Sequence, residues 1–293
     1  MSSSSSNSNC TPFHPALAAA IPHHDSSQRI TVPVFATVAS TRRNGSTAAH
    51  PLALSHLSDT GAFLIGYAAR THPLISDIKA NNALEVILQS SSGSAGSSRT
   101  ASKQQQQELW RLDAKAYLAG APHLLLRYPP PRISAEDPRR TWERARLLAF
   151  LRLSPAQRAV LLLPAPGDRP AATVPRDIPD PPAASRESTD DMVDRLLGGL
   201  SLGDAAAAAS GSPPVTPPQM RRSASGSTPA AAAAPSPPAG APEFDQALEN
   251  FVLVVLKISR ADVLRYGARA ADFERVIHSC SKDGVWSSEV ASP

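Results

Sequence analysis

Cysteine is almost missing from this chain. Cys10 and Cys280 stand near opposite ends, with no CxxC pair and no histidine at metal-ligand spacing. That excludes a disulfide scaffold and offers no zinc site. Aromatics are only 5% of the residues, too few to fill a core along the whole length. No apolar run approaches the roughly eighteen residues of a membrane span, and Met1–Asn9 is a Ser/Asn tract without the charged and apolar regions of a signal peptide. The expectation is a soluble, cytoplasmic protein. Lys and Arg exceed Asp and Glu by four, with a sequence pI near 9.3, but they are scattered. Without a basic stripe interleaved with aromatics, nucleic acid is not an expected partner.

Proline is what the chain has in excess: 16 of its 29 prolines fall between Pro164 and Pro242. Together with the blocks of Ala, Ser and Gly, this predicts a disordered linker over 168–243 that cannot bury enough apolar surface to offset its ordering entropy. Residues 1–10 and the Ser/Gln-rich loop 90–107 read the same way. One ordered domain is therefore expected in two pieces, 11–167 and 244–293. Within the linker, Met192–Leu202 carries Met192, Val193, Leu196, Leu197 and Leu200 at helical spacing. It reads either as a transient helix or as a segment docking on the domain or in a partner's groove. Ser223 follows Arg221-Arg222, and Ser212, Thr216, Thr228 and Ser236 each precede proline, which resemble kinase sites.

The ordered pieces alternate as strands do. Ile30–Ala39, Ala49–Leu57, Ala62–Tyr67, Ala83–Gln89, Glu108–Leu118, Asn250–Ser259, Phe273–His278 and Val285–Val290 are apolar or alternating runs. Asn44-Gly45 predicts a two-residue hairpin turn, and Lys282-Asp283-Gly284 another hairpin. Helices are predicted from Thr11 as cap with Pro12 first, and from Thr71 as cap with Pro73 first and Leu74, Ile75 and Ile78 on one face. Two more run from Asp137-Pro138 to about Leu151 and from Ser154 to Pro164, the latter with Gln157 completing a capping box. Arg70–Pro73, a helix start at a strand end, is the first place to look for a ligand phosphate. Mostly sequential hairpins closing on themselves suggest a mainly β (α+β) fold, a small antiparallel barrel with short peripheral helices and a long disordered insertion.

The order TPFHPALAAAI, PVFATVAS, NGSTAAHPLALSHL, GAFLIGYAARTHPLISDIKANNALEVIL, ELWRLDAKAYL, LSPAQRAVLLLPAPG and DGVWSSEVASP resembles the FMN-binding split barrels of the pyridoxamine 5'-phosphate oxidase-like family. The likeness is to the subfamily with a helical insert before its last strands. The resemblance makes the barrel an antiparallel split β-barrel and implies FMN at a homodimer interface, an unidentified small-molecule substrate, and oxidoreductase chemistry supplied by the flavin. Residue by residue, it places phosphate-holding positions on His50, Ser55, Tyr67, Thr71 and His72, with Pro73 or Leu74 beside them. It also places the family's strand arginine on Arg111, with the amide two residues earlier falling on Leu109, and its flavin-side aromatic on Trp286. The basic residue four positions after that aromatic becomes Val290. The cofactor-binding set is thus His50, Tyr67, Thr71, His72, Arg111 and Trp286, with several of the family's charges replaced.

Each of these residues also has a plainer reading. Trp286 suits barrel packing, Arg111 suits a solvated strand face or a pair with Glu108 or Asp113, and Thr71 suits a helix cap. Two other functions compete with the flavoprotein reading. One is a degenerate barrel that has lost flavin and serves as a binding or scaffold module, supported by the charges missing at positions 50, 55 and 73–74. The other is a regulatory protein that works through phosphorylation of its linker.

Overall fold

The computed structural model describes residues 11–21, 34–92, 106–120, 138–164, 175–179, 193, 241–266 and 273–291. Cys10, His23-His24, the centre of the Ser/Gln-rich loop, and most of the Pro-rich stretch with all its Ser-Pro and Thr-Pro pairs lie outside those residues.

Eight strands stand among the described residues. They are β1 Val34–Thr41, β2 Thr47–Leu57, β3 Phe63–Ala69, β4 Ala83–Ser92, β5 Gln106–Ala119, β6 Phe251–Tyr266, β7 Glu274–Cys280 and β8 Trp286–Ala291. Every pairing is antiparallel. Following the ladders from β3 through β2, β1, β4 and β5 to β6 and back to β3 closes a six-stranded barrel, with β7 and β8 continuing outward from β6. Among the described residues five helices surround it: α1 His14–Ala20, α2 Pro73–Ala80, α3 Pro138–Leu151, α4 Pro155–Val160 and α5 Ala241–Asn250. The fold is the mainly β barrel with short helices that the alternation predicts, in the split-barrel form that the resemblance implies.

Strand β6 holds the barrel together. Val252, Val254, Leu256 and Ile258 point into the barrel core, while Phe251, Leu253 and Val255 face a second core beneath α3, α4 and α5. Burial on both faces explains the unbroken apolar run, where a half-exposed strand would alternate. At Ser259 the ladder to β5 slips by one residue, and the Ser259 hydroxyl donates to the Asp113 carbonyl (3.0 Å). Such a bulge bends the strand. The half before it pairs with β3, and the half after it carries β7. Within β5, Trp110, Leu112, Ala114, Ala116 and Leu118 fill the barrel as the alternation predicts.

The stretch read as linker contributes two side chains to the second core, Ile178 and Val193, both buried. Val193 belongs to the amphipathic Met192–Leu202 segment; the rest of that segment lies outside the described residues.

Three local expectations need correction, and one helix is unannounced. The first hairpin has a three-residue loop, not two: Arg42 N–H donates to Ser46 O, Gly45 N–H to Arg42 O, and Gly45 takes a φ of 81°. That is a type I turn closed by a left-handed residue, and glycine is the residue it admits at low cost. Helix α1 starts at His14, with Phe13 at its cap position, because Thr11 is drawn aside by its N–H bond to Thr60 O (2.8 Å). Helix α4 has the predicted Ser154/Gln157 capping box but stops at Val160, where Leu162 and Leu163 bond three residues back and tighten the chain into turns. Helix α5 was not foreseen, although Pro242 near its start and buried Phe244, Ala247 and Leu248 give it a helical stripe.

Candidate functional site

Two places gather polar side chains, on opposite sides of the barrel wall. The first is a corner at one end of the barrel. Val38 of β1 pairs with His50 of β2, and His50 keeps the inward phase of Leu52 and Leu54, while Ser40 keeps that of Val38. Helix α2 packs its buried face, Leu74, Ile75 and Ile78, over this end and brings Asp77 with it. Oδ2 of Asp77 accepts from Ser40 Oγ (2.8 Å) and from His50 Nε2 (2.8 Å), with Arg42 Nε at 4.0 Å. A carboxylate only accepts, so His50 carries its proton on Nε2. Burial pushes the Asp77 carboxyl upward, but the Ser40 and His50 hydrogen bonds and the nearby positive charge outweigh it and hold the group below the usual carboxylate range.

His72 lies beside this group, its ring centroid 5.7 Å from that of His50. Burial and then the His50 charge lower its pKa. It is His72, not Thr71, that caps α2. His72 holds the extended backbone of a cap position, and its Nδ1 accepts the Leu74 N–H (3.2 Å). Thr71 stands one residue too early, exposed in the turn that His72 N–H closes on Ala69 O. The Arg70–Pro73 helix start therefore has little to give an anion: Pro73 has no N–H, Leu74 is capped, and Ile75 N–H bonds to His72 O.

The second place is a groove of about 390 Å³ on the outer face of β4, β5, β6 and β7. Ile87, Leu109, Leu264 and Phe273 line it, and two ion pairs stand among its lining residues. Arg111 donates to Glu85 (Nη2 to Oε2, 3.1 Å), so its partner is neither Glu108 nor Asp113, and Glu108 is taken by Arg265 (3.0 Å). Arg275 grips Asp262 with two nitrogens (3.0 and 2.6 Å). Those bonds, then the nearby arginine charges, keep the Asp262 carboxyl low despite its burial.

The remaining expected site residues pack elsewhere. Tyr67 lies in the second core, 5.6 Å from the Phe251 ring, where burial raises its phenol to about 12. Trp286 stands edge-on to Phe13, the cap residue of α1, at 4.9 Å and packs against the barrel core. The structure thus joins His50 with His72, leaves Thr71 beside them, sets Arg111 across the wall, and gives Tyr67 and Trp286 packing roles. Sequence reasoning missed Ser40, Arg42 and Asp77. Among the described residues no three His, Cys, Asp or Glu side chains gather as a metal centre needs, and no helix is long and apolar enough to cross a membrane.

A closed antiparallel barrel with outer strands on a long bulged strand, flanked by short helices, is the class this architecture defines. Among solved structures it is similar to a pyridoxamine 5'-phosphate oxidase-related, FMN binding protein from Nostoc punctiforme. The two are 16% identical, aligned over 96% of this chain and 98% of that one, at a TM-score of 0.50. It is also similar to PhzG from Burkholderia lata, solved with tetrahydrophenazine-1-carboxylic acid, at 13% identity, 89% and 83% coverage and a TM-score of 0.42. No family profile matches the chain, and no curated protein matches it in sequence. The chain has the split-barrel fold of the pyridoxamine 5'-phosphate oxidase-related proteins in a divergent sequence.

Proposed function

We propose that this chain is a flavin-binding split-barrel protein of the pyridoxamine 5'-phosphate oxidase-like type, working as a homodimer, whose outer groove takes the ring system of its ligand. The groove carries the reading. A flat heteroaromatic ring needs an apolar bed and a few directed donors, and Ile87, Leu109, Leu264 and Phe273 with the Arg111 guanidinium offer both. The fold supports it, since the Nostoc neighbour is described as FMN binding. Oxidoreductase activity would rest on the ring, where a flavin's redox chemistry resides.

The phosphate half of FMN does not fit. A phosphate of nearly two negative charges wants free, charge-assisted donors. At the His50 corner it would meet the Asp77 carboxylate, which already holds the Ser40 and His50 donors. Ser55, Leu74 and Val290 supply no positive charge where the resemblance places basic residues. This favours a second reading, a barrel that has lost flavin and acts as a binding module.

The visible spectrum of the purified full-length chain, followed by titration with FMN and with riboflavin under flavin-fluorescence quenching, separates the two. Bound flavin, or saturable binding that Arg111→Ala weakens about tenfold through loss of one charged contact, supports the ring-binding reading. A folded, colourless protein indifferent to both flavins leaves the binding module.

A further inference from the structure

The corner at the barrel end is built like an anion site, and its anion belongs to the chain. A hydroxyl from β1, an imidazole N–H from β2 and a guanidinium from the first turn converge on one oxygen, Oδ2 of Asp77. Both Asp77 and His50 are buried. Ser, His and Arg are a donor set that suits a phosphate as well as a carboxylate. The backbone donors that could add to it, those of Leu74 and Ile75, are consumed by His72.

We propose that Asp77 is a specificity determinant: its carboxylate fills the oxyanion place formed by Ser40, His50 and Arg42, turning this corner against phosphate monoesters and toward ligands that bring no anion. The comparison of flavins below rests on the ring-binding reading; the phosphate test does not. Moving a dianion to within a few ångströms of a buried carboxylate is opposed by Coulomb repulsion that solvent screens poorly. A plain structural role for Asp77, tying α2 to β1 and β2, predicts lost stability on substitution and no change in what the corner binds.

The first test titrates inorganic phosphate into the full-length protein while the imidazole NMR signals of His50 and His72 are followed. The wild type is expected to show no saturable shift. Asp77→Asn keeps the shape and removes the charge, and should show one, because no carboxylate then repels an external anion from Ser40, His50 and Arg42, and a neutral amide oxygen competes only weakly for their donors. Phosphate shifts of equal midpoint in both proteins, or in neither while the variant is folded, overturn the proposal. The second test compares riboflavin with FMN. Wild-type protein should bind riboflavin at least as tightly as FMN, since the Ser40 and His50 donors at this corner are already held by Asp77 and offer the phosphate nothing. Wild-type preference for FMN refutes the proposal without any variant, so a variant that fails to fold does not protect it. If neither flavin binds but Asp77→Asn takes phosphate, the ring-binding reading falls and the role of Asp77 stands.

Discussion

Replacing Arg158 with alanine tests how the second core is anchored to the barrel. Arg158 is fully buried at 0% exposure on α4. Its guanidinium donates to Leu151 O (2.8 Å) and, at longer range, to Phe150 O (3.4 Å) and Ile178 O (3.5 Å). It also lies over the rings of Phe150 and Phe244, at 5.4 and 5.7 Å. One side chain thus joins the end of α3, the start of α5 and the short 175–179 segment. The good bond to a charged donor contributes about 1.5–3 kcal/mol, and the desolvated ring contacts add about 1–2. Against this stands relief from burying a charge, which alanine obtains. Alanine also leaves the carbonyls unpaired and a cavity between two phenylalanines, so the losses win and the net expected is about 3 kcal/mol. Lysine keeps the charge but not the planar fork and should lose about 2. Urea unfolding is the assay. With a slope of about 2–3 kcal/mol/M, the alanine variant should shift its midpoint by roughly 1 M at unchanged slope. A shift worth less than about 0.5 kcal/mol, or a lysine variant as stable as wild type, would show that the buried charge merely offsets its own desolvation.

Three further outcomes follow from the geometry. The Asp77 carboxyl is held low in the folded chain, so the stability it contributes is present above the ordinary carboxylate pKa of about 4 and is lost as pH falls through the lower folded value. Midpoints measured across that acid range should fall in the wild type and stay flatter in Asp77→Asn. Tyr67, raised from 10.0 to about 12 by burial, keeps its proton in the folded state where the unfolded chain has lost it. Stability should therefore decline between pH 10 and 12; tyrosinate absorbance should show that phenol ionising last, and Tyr67→Phe should remove the step. Gly66 sits where β2 and β3 approach closely, and an added Cβ would lie 2.8 Å from the Ala53 carbonyl oxygen and 2.8 Å from Leu52 Cδ2. Because backbone must move, Gly66→Ala should destabilise by about 2–3 kcal/mol, read as a fall of several degrees in melting temperature.

The barrel was legible because its signal is local and repeated. Alternation in Glu108–Leu118 named the inward residues of β5 one by one, and the same rule gives way where both faces are buried, along β3 and at the start of β6. In β6 the continuous run was still readable as a central strand. What escaped depends on partners far along the chain. The Ser259 bulge is dictated by closure onto β3 and β5, and β6 runs on to Tyr266 because its second half serves a different neighbour, β7. Helix α5 was overlooked through context: its short amphipathic stripe follows directly on Pro/Ala-rich sequence, whose composition dominates any window drawn across the boundary.

The site was harder to read than the fold for the same physical reason. His50 was found through resemblance, and Thr71 and His72 through resemblance and the helix start at Arg70–Pro73; both signals weigh what a position holds without seeing what stands opposite it. Asp77 faces His50 across 27 residues and Ser40 across 37. In the sequence it is one acidic residue on a short helix, and no spacing rule links it to either. Yet that carboxylate decides the chemistry of the corner, because two hydrogen bonds and a guanidinium directed at one oxygen leave no donor for an incoming phosphate. Counting the basic residues lost from the pattern gives only weakened affinity; an internal anion in their midst reverses the sign of the interaction. A single substitution at position 77 should therefore do more to restore phosphate binding than returning a lysine or arginine at position 55 or 74 with Asp77 in place, since Ser55 and Leu74 are themselves buried and neither change removes the carboxylate that holds Ser40 and His50.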